Sequence, residues 1–103
     1  MKIQLLYMDD CPNWQETLQD IQSVIKQNAL DAKVEMVKVN TPQEAEALAF
    51  PGSPTVRVED MDVEPDAPAS GFGLECRVYW VDDRPQGKPP IEWIAAAIEV
   101  AME

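Results

Sequence analysis

Apolar positions in the first half of the chain keep two rhythms. Between Lys2 and Tyr7, Ile3, Leu5 and Tyr7 fall on one side and Gln4 and Leu6 on the other, with Met8 following. Apolar residues on both faces predict a central strand. Asp9-Asp10-Cys11-Pro12 punctuates it, and Pro12 suits the first turn of a helix, where its missing N–H leaves no bond unmade. Trp14, Leu18, Ile21 and Ile25 then recur at helical spacing and predict one apolar stripe running to about Gln27, with Asn28 and Asp31 as stop and turn residues. Lys33 to Val39 reads as a second strand of mixed pattern. Thr41, Pro42 and Glu44 match the N-cap, first and third positions of a capped helix, whose apolar face is Ala45, Leu48 and Ala49. Phe50-Pro51-Gly52-Ser53-Pro54 must end that helix, and Thr55 to Val58 is a short strand rich in β-branched residues.

Past Val58 the rhythm fades. Glu59 to Gly73 is acidic and rich in Pro, Gly and Ala, and is predicted to be irregular. Leu74 to Val81 alternates again, with Leu74, Cys76, Val78 and Trp80 on one face, and is predicted as the fourth strand. Asp82 to Pro90 reads as a turn-rich loop, and Ile91, Ile94, Ile98 and Ala101 predict a last helix laid against a sheet. The order is β-α-β-α-β-β-α. No repeat or linker interrupts it, so residues 1–103 are expected to form one domain.

Charge and composition narrow the chemistry. Eight basic residues against 19 acidic ones give a net charge of −11, which repels a phosphate backbone and anionic lipid. Neither nucleic acid nor a membrane is therefore an expected partner. No apolar run reaches membrane length, and the N-terminus meets Asp9-Asp10 too soon for a signal peptide, so the expected location is cytoplasmic. The chain has no histidine, which excludes Cys-His and Ser-His nucleophile pairs, HExxH zinc chemistry and mixed Cys/His zinc sites. Two cysteines, Cys11 and Cys76, make no disulfide framework at this length, and without a secretion signal they are expected as free thiols. Asp60, Asp62, Glu64 and Asp66 alternate like a calcium loop, but Pro65 stands where the turn needs Gly and Gly71 where a bidentate Glu is required. A solvated acidic loop is expected instead. Arg57, Arg77 and Arg84 are expected to pair with acidic neighbours, and Trp80 and Trp93 read as core or edge positions.

The element order, with Cys11-Pro12 at the first strand-to-helix junction and Ser53-Pro54-Thr55 opening the third strand, resembles the thioredoxin superfamily over nearly the whole chain. The resemblance implies a thioredoxin-like α/β fold: a mixed four-stranded sheet with helices on both faces, and an enlarged loop between the last two strands. It also implies that Cys11 holds the reactive position and faces a cis Pro54, with Ser53 preceding the cis bond. Two departures stand out. Cys11-Pro12-Asn13-Trp14 replaces Cys-x-x-Cys, which puts Trp14 at the resolving position. Trp80-Val81-Asp82-Asp83-Arg84 stands where glutathione-using members carry a Gly-Gly-Cys/Ser-Asp run.

A thiol at the beginning of a helix is favoured as thiolate by the helix dipole and its N–H groups, whereas Asp9 and Asp10 oppose ionisation. Trp14 belongs to the helix stripe and is expected to be packed. Cys76 shares a face with Leu74 and Val78 and is expected in the core. Its rival role, as the partner that resolves Cys11, requires the long loop to redirect the last strand, because Cα atoms beyond about 7 Å cannot be bridged. The expected function is thiol–disulfide exchange with Cys11 as a single nucleophile, with Pro12, Ser53 and Pro54 docking the substrate. No bound cofactor or metal is expected; glutathione or another external thiol would clear the mixed disulfide, and the partner would be a protein or a small thiol. Two alternatives remain open: a non-catalytic binding module on the same fold, and Cys11 with Cys76 as ligands for a soft ion such as Cu(I) or mercury. Nothing in the sequence sets an oligomeric state.

Overall fold

The computed structural model describes residues 1–65, 67 and 71–103. Asp66, the last residue of the acidic alternation, lies outside them. The central strand is β1 (Ile3–Tyr7), which pairs in parallel with β2 (Val34–Lys38) and antiparallel with β3 (Thr55–Val58). A short β4 (Met61–Asp62) closes a mixed four-stranded sheet in the order β2-β1-β3-β4. Three helices complete the α/β arrangement: α1 (Trp14–Gln27), α2 (Pro42–Ala47) and α3 (Ile91–Met102).

Alternation along β1 sorts the helices. Ile3 and Leu5 join Ile21 and Val24 of α1, Val56 and Val58 of β3, and Ile94 and Ile98 of α3 in one buried cluster. Leu6 points the other way, into a smaller cluster with Val39, Phe50 and Ala45 of α2. Each fully buried Leu or Ile contributes about 1.5–3 kcal/mol, so these two clusters dominate the stability of this half of the chain. The α1 stripe is rotated slightly from the sequence reading. Thr17, Ile21 and Val24 are its buried centre, while Trp14, Leu18 and Ile25 are half-buried at its flanks. Trp14 packs on Tyr7 with ring centroids 4.6 Å apart. On α2 the expected cap is present: the Thr41 hydroxyl accepts the Glu44 N–H at 3.1 Å and donates to the Glu44 carboxylate at 3.2 Å.

Three expectations are corrected. Helix α1 begins at Trp14 with Asn13 as N-cap, so Pro12 lies in the preceding turn and not in the helix. The fourth strand is not Leu74 to Val81 but Met61–Asp62, reached from β3 through Glu59 and Asp60. Both turn residues have positive φ, 51° and 68°, as a two-residue hairpin of this hand requires. Lys2 holds both: its N–H donates to the Glu59 carboxylate at 2.5 Å and its ammonium to Asp60 at 2.7 Å. A two-residue hairpin closes a far shorter loop than a strand arriving from Leu74, so pairing β4 with the edge of β3 costs less chain entropy.

The third correction concerns the displaced segment. Only Tyr79–Val81 is a strand, β5, and it pairs with β6 (Arg84–Gln86) in a separate hairpin across Asp82 and Asp83, whose φ values are 51° and 64°. Its inner face is also the opposite of the expected one. Arg77 and Tyr79 are buried, whereas Val78 and Trp80 are 52% and 63% exposed. Among the described residues no helix is long and apolar enough to cross a membrane.

Candidate functional site

The site forms where the turn after β1 meets the corner before β3. Residues Pro51 to Val56 are all buried, and the Ser53–Pro54 peptide is cis. The Ser53 hydroxyl accepts the Met8 N–H at 2.9 Å, which ties this corner to the end of β1 three residues before Cys11. The Thr55 hydroxyl donates to the Gly52 carbonyl at 2.7 Å and tightens the same corner.

Residues 75–77 lie alongside it. The Ser53 N–H donates to the Glu75 carbonyl at 2.8 Å, and the Arg77 N–H donates to the Ser53 carbonyl at 2.9 Å. These two bonds form an isolated parallel bridge between Ser53 and Cys76. The approach requires Gly52: with φ at 138°, a Cβ there would sit 2.9 Å from the Arg77 Cβ and 3.0 Å from the Glu75 carbonyl.

This bridge brings the two cysteines together. Cys11 and Cys76 form a disulfide, with Cα atoms 5.9 Å apart across 65 residues of sequence. The expectation of two free thiols, with Cys76 in the core, is therefore corrected. On the sequence reading this pair needs the long loop to redirect a last strand lying in the sheet. No such redirection is needed, because β4 takes the sheet edge and residues 75–77 cross the Ser53 corner instead. The two sulfurs sit in unlike surroundings. Cys11 is 1% exposed, whereas Cys76 is exposed. Pro12 is exposed beside Cys11, and Trp14 is turned onto Tyr7.

Arg77 fixes the position of the Cys76 segment, and sequence reading missed its weight. It is 5% exposed. Its guanidinium makes a bidentate pair with Asp62 at 2.8 and 3.2 Å, and donates to Glu64 at 2.6 Å and to the Thr55 hydroxyl at 3.0 Å. It also lies over the Tyr79 ring, 4.4 Å from the centroid. Burial alone would lower the Arg77 pKa, but the hydrogen bonds and charge of Asp62 and Glu64 outweigh it and raise the pKa. The Tyr79 hydroxyl donates to the Pro54 carbonyl at 2.5 Å, and burial pushes its pKa far above the ordinary value. Asp62 and Glu64 are thus engaged with a buried cation and are not simply solvated, while Asp60 pairs with Lys2. The available signal was an arginine on an alternating segment downstream of spaced carboxylates; nothing in the spacing said which of them it would reach.

Near Cys11, Asp9 forms an ion pair with Lys38, and hydrogen bonding to Asp9 raises the Lys38 pKa. One of the two carboxylates expected to oppose a Cys11 thiolate is therefore compensated. Among the described residues no group of three or more Cys, Asp or Glu side chains is arranged to hold a metal ion. Comparison with protein-family models, with curated proteins and with solved structures gives no match.

Proposed function

We propose that this protein is a thiol–disulfide exchange protein of thioredoxin-like architecture, whose redox unit is the Cys11–Cys76 pair and not Cys11 alone. The observation that carries the reading is the cross-link itself, which joins the β1–α1 junction to a segment bridged to Ser53. The architecture is supported by a cysteine at the first strand-to-helix junction, by the sheet order β2-β1-β3-β4, and by helices sorted between two clusters. A pair changes the chemistry expected of a lone thiol. A mixed disulfide on one sulfur is resolved by the other within the same molecule, and glutathione or another external thiol serves as the exchanging partner. The Ser53 bridge and the Arg77 clamp do not depend on the S–S bond, so the two thiols stay close after reduction, with a high effective concentration for re-forming it.

The test is equilibration in glutathione buffers of graded ratio, followed by acid quenching, alkylation with a mass tag and counting of free thiols. The expected outcome is a reversible two-electron transition in which both cysteines open together. Thiols that stay oxidised at every ratio, or open only on unfolding, would leave the disulfide as a structural cross-link. The binding-module reading would then replace this one.

A further inference from the structure

The two sulfurs of the cross-link are not equivalent to an incoming thiol. Cys11 is 1% exposed, whereas Cys76 is exposed and is flanked by the exposed residues Glu75 and Val78. A thiolate attacks a disulfide in line, from the side opposite the leaving sulfur. Cys76 is the solvent-exposed residue of the pair and so the one open to attack, whereas Cys11 at 1% exposed is shielded. We propose that Cys76 is the sulfur that external thiols meet, that Cys11 is the buried leaving thiolate, and that the substrates favoured are thiols carried on cationic or neutral groups, such as cysteines in basic peptides, over anionic glutathione.

This assignment rests on the exchange function proposed above and reverses the roles that the sequence resemblance implied. Its chemistry balances. An external thiolate RS⁻ attacks the Cys76 Sγ, the S–S bond breaks, and Cys11 departs as thiolate, leaving Cys76–S–S–R. A second thiolate then attacks the R sulfur, giving R–S–S–R and a Cys76 thiolate. Two electrons have passed to the protein, and the reverse sequence reduces a disulfide substrate and restores the Cys11–Cys76 bond. Cys11 is the leaving sulfur because attack on the exposed Cys76 Sγ can expel only its partner. It lies just ahead of the N-cap of a 14-residue helix, and Asp9 nearby is paired with Lys38.

The substrate class follows from charge. The cleft at Cys76 is lined by Glu64, Glu75 and Arg77, and the single cation is already committed to Asp62 and Glu64. Glu75 lines the same cleft as Cys76 and is in no ion pair among the described residues, and the chain as a whole carries −11. A glutathione thiolate, doubly negative overall, meets this field unfavourably, whereas a cysteamine thiolate carries its own ammonium.

The experiment uses oxidised full-length protein with glutathione, 2-mercaptoethanol and cysteamine, with rates normalised to thiolate concentration. In low salt, cysteamine is expected to open the disulfide about tenfold faster than glutathione, with 2-mercaptoethanol between them. In 1 M salt, where the screening length is about 3 Å, the order should collapse towards parity. Glu75→Gln should narrow the low-salt ratio about two- to threefold, since an exposed side chain contributes only part of the field. Acid quenching early in the reaction with peptide mapping should place the adduct on Cys76. An adduct on Cys11, or glutathione reacting as fast as cysteamine in low salt, overturns the assignment while leaving the exchange function standing. Failure of all three thiols to open the disulfide overturns both.

Discussion

Ile21 on α1 and Arg77 ahead of β5 are almost equally buried, at 0% and 5% exposed, yet they hold their regions by opposite means. Ile21 sits among Leu5, Val24, Val56 and Ile98, in a cluster where any apolar group of the right size gains from leaving water. Arg77 sits between two carboxylates, a hydroxyl and an aromatic face, where only a planar, multiply donating cation fits. Residues 3–58 are assembled by non-directional burial. Residues 61–64 and 75–79 are joined to each other and to the Ser53 corner chiefly by directional bonds and one covalent link, with Val63 alone reaching the main apolar cluster. The first kind of region tolerates exchange of its parts and the second does not.

The largest effects should separate the two regions by their response to reductant. Closing a loop of this length restricts the unfolded chain by roughly 4 kcal/mol, so wild-type protein should lose about that much stability in urea titrations once dithiothreitol is added. Cys76→Ser should start at the lower value and be insensitive to dithiothreitol. Ile21→Ala should cost about 2–5 kcal/mol by emptying a core site, and by the same amount with or without reductant. If the Ile21→Ala loss vanished on reduction, the two regions would be one cooperative network and the distinction would fail.

Arg77→Met comes next. It leaves Asp62 and Glu64, whose side chains are only 13% and 18% exposed, without their cation, and should cost about 3 kcal/mol. Arg77→Lys should recover only part of this, because an ammonium cannot make the bidentate pair with Asp62. Full rescue by lysine in thermal melts would show that charge alone matters there.

A smaller effect should appear with alkali. Below about pH 10 the Tyr79 phenol is neutral in both the folded and unfolded chain and contributes no pH dependence. Above that, the unfolded chain releases the proton while burial prevents its release in the folded one, so stability falls as pH rises towards the folded pKa. Tyr79→Phe should flatten this slope and cost about 1–2 kcal/mol at neutral pH, because the Pro54 carbonyl loses its donor. An unchanged alkaline slope in the Phe variant would assign the effect elsewhere. Smallest of all, Thr41→Ala should cost about 1 kcal/mol through loss of the α2 cap, with no change in thiol reactivity.

Most of the first region was legible because burial writes a period into the sequence. Ile3, Leu5 and Leu6, the Thr41 cap and the strand from Thr55 to Val58 stand where alternation and capping placed them, and α1 is a helix of nearly the expected span whose buried centre turns from the expected stripe to Thr17, Ile21 and Val24. The second region defeated the same reading at identifiable residues. Leu74, Cys76, Val78 and Trp80 look like an inner face, but the true inner face carries Arg77 and Tyr79, so the alternation was right and its polarity inverted. Glu59-Asp60 and Asp82-Asp83 make two-residue hairpin turns without the glycine or asparagine that usually marks them, so neither hairpin was visible. Of the site, Cys11, Ser53 and Pro54 could be picked out because their local signals lie at element boundaries. The partnership of Cys11 with Cys76 could not, since it depends on which segment occupies the edge of β3.

The cross-link also governs how the molecule responds to being pulled. A tether on each terminus applies its force along the covalent path, and while the sulfurs are joined that path leaves the backbone at residue 11 and rejoins it at residue 76. Only the ten residues before Cys11 and the 27 after Cys76 can then be drawn out straight. At about 3.5 Å per residue the oxidised chain should lengthen to a contour of roughly 130 Å, against roughly 360 Å once the sulfurs are parted. Strands β2 to β4 and the first two helices lie within the ring and are spared the direct load, whereas the central strand β1, the β5–β6 hairpin and α3 carry it. Under tension, one pair of electrons decides whether most of this protein acts as a spring or as a knot.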